Sequence, residues 1–108
     1  MNGDHLNWLG HWYLSQCDSD WEHSYGVKID TLDNPGWSLK IELANTPLDG
    51  RGVERVAHGE PSDDLEAWQR AGSWWIAAVQ SNVFEAHCGP LDLAKIIGLF
   101  RQWTEQTE

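Results

Sequence analysis

From Tyr25 to Leu43 apolar and polar positions alternate on either side of a turn. Tyr25, Val27, Ile29 and Thr31 are separated by Gly26, Lys28 and Asp30, and Trp37, Leu39, Ile41 and Leu43 by Ser38, Lys40 and Glu42. Such alternation marks a half-buried strand. Asp33-Asn34-Pro35-Gly36 between the runs is turn chemistry: proline fixes the first turn dihedral and glycine is free to take the positive φ of a type II turn. The pattern predicts an antiparallel hairpin. A one-residue slip would turn every side chain to the wrong face. Pairing Thr31 with Trp37 sets Ile29 beside Leu39 and Val27 beside Ile41, and it requires a loop from Leu32 to Gly36.

Ahead of the hairpin the period changes to that of a helix, from about His5 to Cys17, with Asn2 or Asp4 as cap. Leu6, Leu9, Tyr13 and Cys17 share a face, Trp8 and Trp12 stand on its shoulder, and Asn7, His11 and Ser15 lie opposite. This reading lays the helix on the sheet and puts Cys17 on the buried side. After the hairpin, Asn45 to Gly52 reads as a loop and Val53 to His58 as a short strand. Ser62-Asp63-Asp64 resembles a helix start and predicts a short helix over Asp63 to Arg70, ended by Gly72.

Trp74 to Val79 and Val83 to Cys88 form a second hairpin about Ser81-Asn82. A two-residue loop pairs Val79 with Phe84, Ala77 with Ala86 and Trp75 with Cys88, leaving Glu85 and His87 on the other face. Gly89-Pro90 stops the strand. A last helix, from about Leu91 to Gln106, buries Leu93, Ile96, Ile97, Phe100 and Trp103 and turns Lys95, Arg101, Gln102 and Glu105 to water. The elements predict an α+β fold: an antiparallel sheet of four or five strands, with the N-terminal and C-terminal helices on one face and the other partly open.

At 108 residues the chain, 1–108, reads as a single domain. Repeats, a signal peptide and a membrane-length apolar run are absent from the sequence, which makes a soluble cytoplasmic protein the expectation. Cys17 and Cys88 are then free thiols in a reducing compartment. The formal charge of -10, from 17 acids and 7 bases, argues against nucleic acid or an anionic membrane as a direct ligand and favours a basic partner. Acidity that only maintains solubility is the competing explanation. Eight tryptophans are more than such a core requires. Those left exposed would mark a contact surface, or an interface between copies of the chain.

The chemistry-bearing residues divide by how well they fit a mechanism. Asp18, Asp20, Glu22 and His23 match a calcium loop in composition only. That loop needs glycine at its sixth position and glutamate at its twelfth, which from Asp18 hold His23 and Ile29. The five histidines show no zinc-ligand spacing. No metal, cofactor or catalytic residue is therefore assigned. Cys88, at the junction of a strand and a helix, carries the alternative of a small thiol enzyme. The adjacent His87 should point to the opposite face, and no Arg-bearing cradle accompanies Cys88-Gly89-Pro90-Leu91-Asp92 as a rhodanese-type sulfurtransferase loop requires. The loop Asp18, Asp20, Trp21, Glu22, His23 and the turn Asp33, Asn34, Trp37 instead fit a protein-binding surface, with carboxylates for steering and tryptophans as anchors. Tryptophans that plug the core, with acids capping backbone donors, fit the same residues.

The stretch WLGHWYLSQCDSDWEHSYGVKIDTLDNPGWSLKIEL, Trp8 to Leu43, resembles the immunity protein 53 family of bacterial polymorphic toxin systems, and Gly89-Pro90 followed by an amphipathic helix also fits. The resemblance is dense in the first third, fades between Arg51 and Gly72, and leaves Ser62 to Arg70 as added length. Where such proteins have small glycines before the Gly-Pro step this chain has His87-Cys88, so the resemblance gives that thiol no role. It implies a cytoplasmic antidote that binds and blocks a cognate toxin domain. A basic toxin, a nuclease among the options, would agree with the acidity.

Overall fold

The computed structural model describes residues 3–33, 35–59 and 73–107. Helix α1 runs Gly3–Gln16 and a single turn, α2, Trp21–Ser24. Strands follow at Val27–Leu32 (β1), Gly36–Glu42 (β2), Val56–His58 (β3), Trp75–Gln80 (β4) and Val83–Cys88 (β5), and helix α3 at Leu93–Thr107 closes the order. The five strands form one antiparallel sheet in the order β1-β2-β5-β4-β3. The expected α+β architecture is the one found.

Both hairpins take the register required by their apolar faces. Val27, Ile29 and Thr31 face Ile41, Leu39 and Trp37, and Val79, Ala77 and Trp75 face Phe84, Ala86 and Cys88. Ser81 and Asn82 adopt φ of 52° and 63°, the left-handed pair whose twist matches a two-residue hairpin. In the first hairpin Leu32 also pairs with Gly36, so the connection is tighter than a Leu32 to Gly36 loop. Gly36 itself is a strand residue and not the positive-φ corner of a type II turn. Glycine is required there for another reason: a Cβ would overlap the Cys88 carbonyl oxygen on the neighbouring strand.

The core lies on one face of the sheet, where Leu39, Ile41, Phe84, Ala86 and Cys88 meet Ile96, Ile97, Phe100 and Trp103 of α3. Helix α3 packs on β2, β4 and β5, and α1 packs chiefly on α3 and not, as the sequence led us to expect, flat on the sheet. The buried side of α1 is rotated accordingly. Leu9 is buried and Trp8 and Trp12 pack against the core, their rings edge-on to Phe100, while Leu6 and Tyr13 of the expected face point to water. Ring contacts decide this rotation, because a packed tryptophan removes more apolar area than a leucine. Cys17 ends half-buried, its thiol donating to the Tyr13 carbonyl at 3.3 Å.

The strand expected over Val53 to His58 shortens to β3. Asn2 and the helix expected over Asp63 to Arg70 lie outside the described residues. On the open face of the sheet Lys40 and Glu85 face each other in register, 3.7 Å apart.

Candidate partner-binding surface

The loop between α1 and β1 is built by its own acids. Asp18 Oδ1 accepts the N–H groups of Asp20 and Trp21 at 3.0 and 2.9 Å, capping α2. Glu22 reaches back to accept those of Asp18 and Ser19 at 3.0 Å. The backbone N–H groups of Trp21 and Asp20 hold the Asp18 carboxyl below its ordinary range, and its own N–H, with those of Asp18 and Ser19, does the same for Glu22. Both acids therefore stay ionised at neutral pH. Asp20, which makes no cap bond, and His23 face solvent.

Trp21 clamps this loop to the domain. It is 3% exposed, donates Nε1–H to the Ala44 carbonyl at 2.8 Å, and is bordered by the rings of Trp12, Tyr13 and Tyr25. Of the two roles its sequence allowed, core plug is the one its burial displays. Trp37 is half-buried on the core with Nε1–H donated to the Pro90 carbonyl at 3.0 Å. Asp33 is exposed, and Asn34 lies outside the described residues.

The seven of these residues that the structure describes fall into two groups. Asp18, Asp20, Trp21, Glu22 and His23 sit where β2 ends, whereas Asp33 and Trp37 belong to the far end of the β1–β2 hairpin. The six residues of β1 separate them by about 20 Å.

Sequence reasoning missed a third feature: Leu6, Tyr13 and Leu14 of α1 are 58%, 39% and 66% exposed. The signal was present. Leu6, Trp8, Leu9, Trp12, Tyr13 and Leu14 cover more than one face of a helix, so one helix neighbour cannot bury them all.

Cys88 has the reverse of an activating environment. It is fully buried, and burial, reinforced by the Asp92 carboxylate, pushes its thiol up to about 12. His87 projects from the opposite face of β5, its pKa lowered mainly by burial. The folded thiol keeps its proton between its ordinary 9.0 and about 12, so it adds stability below pH 9 that is lost as pH rises through that window. At pH 8 a thiol reagent should modify Cys17 and leave Cys88 about a thousandfold slower than a free cysteine until denaturant is added. Mass mapping of the labelled peptides checks this, and rapid labelling of Cys88 in the folded chain would contradict the burial described.

Among the described residues no three His, Cys, Asp or Glu side chains gather to hold a metal ion, and no helix is long and apolar enough to cross a membrane. The fold and these sites define an α+β domain with a one-sided antiparallel sheet and a pre-ordered acidic loop at one end. The chain belongs to the immunity protein 53 family, whose sequence model matches residues 6–105 and runs through the Arg51 to Gly72 stretch where the resemblance fades. Membership implies an immunity protein of a toxin system, with a cognate toxin as partner. Comparison with curated proteins gave no match, and neither did comparison with solved structures.

Proposed function

We propose that the chain is a cytoplasmic, non-enzymatic antidote that binds its cognate toxin domain stoichiometrically through an acidic surface, leaving the toxin unable to act. The observation that carries this reading is the loop Asp18 to Ser24, whose two ionised carboxylates are fixed in place by backbone N–H groups and by the buried Trp21. Charge held on an ordered loop steers a basic partner and spares the ordering cost at contact. Asp33, Asn34 and the rim of Trp37 supply a second contact. An interface of about 800 Å² per partner, roughly 30 Å across, spans both groups. The basic surface expected of the toxin fits a nuclease, whose substrate groove an acidic inhibitor would occupy. A thiol-enzyme reading has against it the buried, protonated Cys88.

Reversing the loop acids to lysine would also unclasp the backbone, because Asp18 and Glu22 each accept two N–H groups. The cleaner variant combines Asp18→Asn, Asp20→Asn and Glu22→Gln, which keeps the acceptors and removes the charge. Its affinity for the toxin domain, captured from producing cells and purified, should fall by more than about tenfold, mostly through slower association, with a weaker salt dependence. Unchanged affinity in a folded variant would remove the loop from the interface.

A further inference from the structure

One edge of the sheet runs along β1, and among the described residues no strand pairs with its outer side. Glu42 N–H donates to the Gly26 carbonyl at 3.1 Å, which marks Gly26 and Glu42 as a hydrogen-bonded pair of the antiparallel ladder. By alternation Lys28 and Asp30 bond to β2, and the N–H and C=O groups of Val27, Ile29 and Thr31 point away from the sheet. The other end of β2 agrees: Leu43 N–H donates to Asn82 on the β5 side, as the opposite alternation demands. Six residues long, without proline and in unbroken register, β1 carries few of the devices that blunt an edge.

Beside this edge lies a groove of about 450 Å³ between α1 and the start of β1, lined by Leu6, Leu9, Gly10, Tyr13, Tyr25 and Val27. Its bed is open, since a Cβ on Gly10 or Gly26 would meet nothing within 4 Å. The exposed Leu6 and Tyr13 form its wall. Side chains of Val27, Ile29 and Thr31 point to this same side of the sheet. An extended segment pairing with β1 would thus set alternate side chains into the groove and the others beside Lys28 and Asp30. At the Val27 end stand Asp18, Asp20 and Glu22.

We infer that the β1 edge and this groove receive an extended segment of the cognate toxin domain, one with apolar residues at alternate positions and lysine or arginine between them. The inference rests on the proposed antidote role and names the contact. Charge chooses the occupant: a second copy would bring another -10 to the same edge, whereas a cationic segment, though it passes Lys28, meets Asp30 and the three carboxylates of the acidic loop.

The test uses the ¹⁵N-labelled full chain, with acetylated and amidated peptides of alternating Lys-Val or Glu-Val as probes. The Lys-Val peptide should shift the amide signals of Val27 to Thr31, Gly10 and Tyr13 and slow exchange at Val27, Ile29 and Thr31. The Glu-Val peptide should bind at least tenfold more weakly. The variant Leu6→Glu with Leu14→Glu adds negative charge at exposed sites, so simple charge attraction predicts tighter Lys-Val binding, whereas the groove predicts a loss of at least tenfold. Tighter or equal binding by that variant, signal changes elsewhere, or a dimer of the free chain through β1 would overturn the inference. Full-strength toxin binding by the same variant would sink the groove and leave the antidote reading standing. Absence of any toxin complex with the unaltered chain would remove both.

Discussion

Phe100→Ala should lower the stability of the folded chain by about 3–5 kcal/mol, the range for removing a buried phenylalanine from a core that cannot close over the space. Phe100 is fully buried and sits where the two helices and the sheet meet. Its ring contacts Trp8 and Trp12 of α1 at centroid distances of 5.9 and 5.0 Å, Phe84 of β5 at 5.0 Å and Trp103 of α3 at 6.0 Å. Edge-on pairs of this kind add about 0.5–1.5 kcal/mol each beyond the area they bury. Four large rigid neighbours also relax poorly, which keeps the cavity open. Against a whole-domain stability of about 5–15 kcal/mol such a loss is severe. Urea unfolding followed by tryptophan fluorescence reads it as a fall in midpoint at unchanged slope. A loss under about 1 kcal/mol would mean that the aromatic cluster is not the junction described.

The second large effect is expected at Trp21. Trp21→Ala removes a nearly fully buried indole, again worth about 3–5 kcal/mol, and leaves the Ala44 carbonyl without its 2.8 Å donor. Trp21→Phe is the milder change, since it keeps a six-membered ring in place and loses the Nε1–H donor and part of the packed indole, at a cost of about 2–3 kcal/mol. The alanine variant should also free the loop: amides of Asp18 to Ser24 should exchange faster than the sheet amides even where the sheet remains folded. Loss of global stability with the loop amides still protected would show that the backbone clasp of Asp18 and Glu22 holds the loop without its anchor.

How far the sequence led differs by element, for physical reasons. The register of both hairpins could be read to the residue, though not the turn of the first, because a two-residue period admits one register for a one-sided sheet and because Ser81-Asn82 tolerates the positive φ of the tight turn. Helix α3 was as clear, its apolar residues confined to one stripe. Helix α1 was not, since aromatic and aliphatic positions run around it and only the partner, Phe100, selects Trp8 and Trp12 over Leu6 and Tyr13. Gly36 signalled a turn by its neighbours, yet its need for glycine comes from Cys88, 52 positions away in the chain (88 minus 36) and adjacent only across β2 and β5.

The candidate surface was read in part. The acids of Asp18 to Glu22 were visible as a group, and their capping geometry follows from short spacing. The burial of Trp21 was invisible, because one tryptophan among polar neighbours carries no period to reveal its direction. The separation of the loop from the Asp33 turn was implicit in the length of β1, since a strand holds its two ends apart.

The seam between β2 and β5 joins the two hairpins directly, with β3 set outside them at the edge beyond β4. Gly36 lies beside this seam, where any side chain would push β2 off the Cys88 carbonyl and part the two hairpins. A substitution at Gly36 is thus a change in how the two halves of the sheet meet, and not only in a turn.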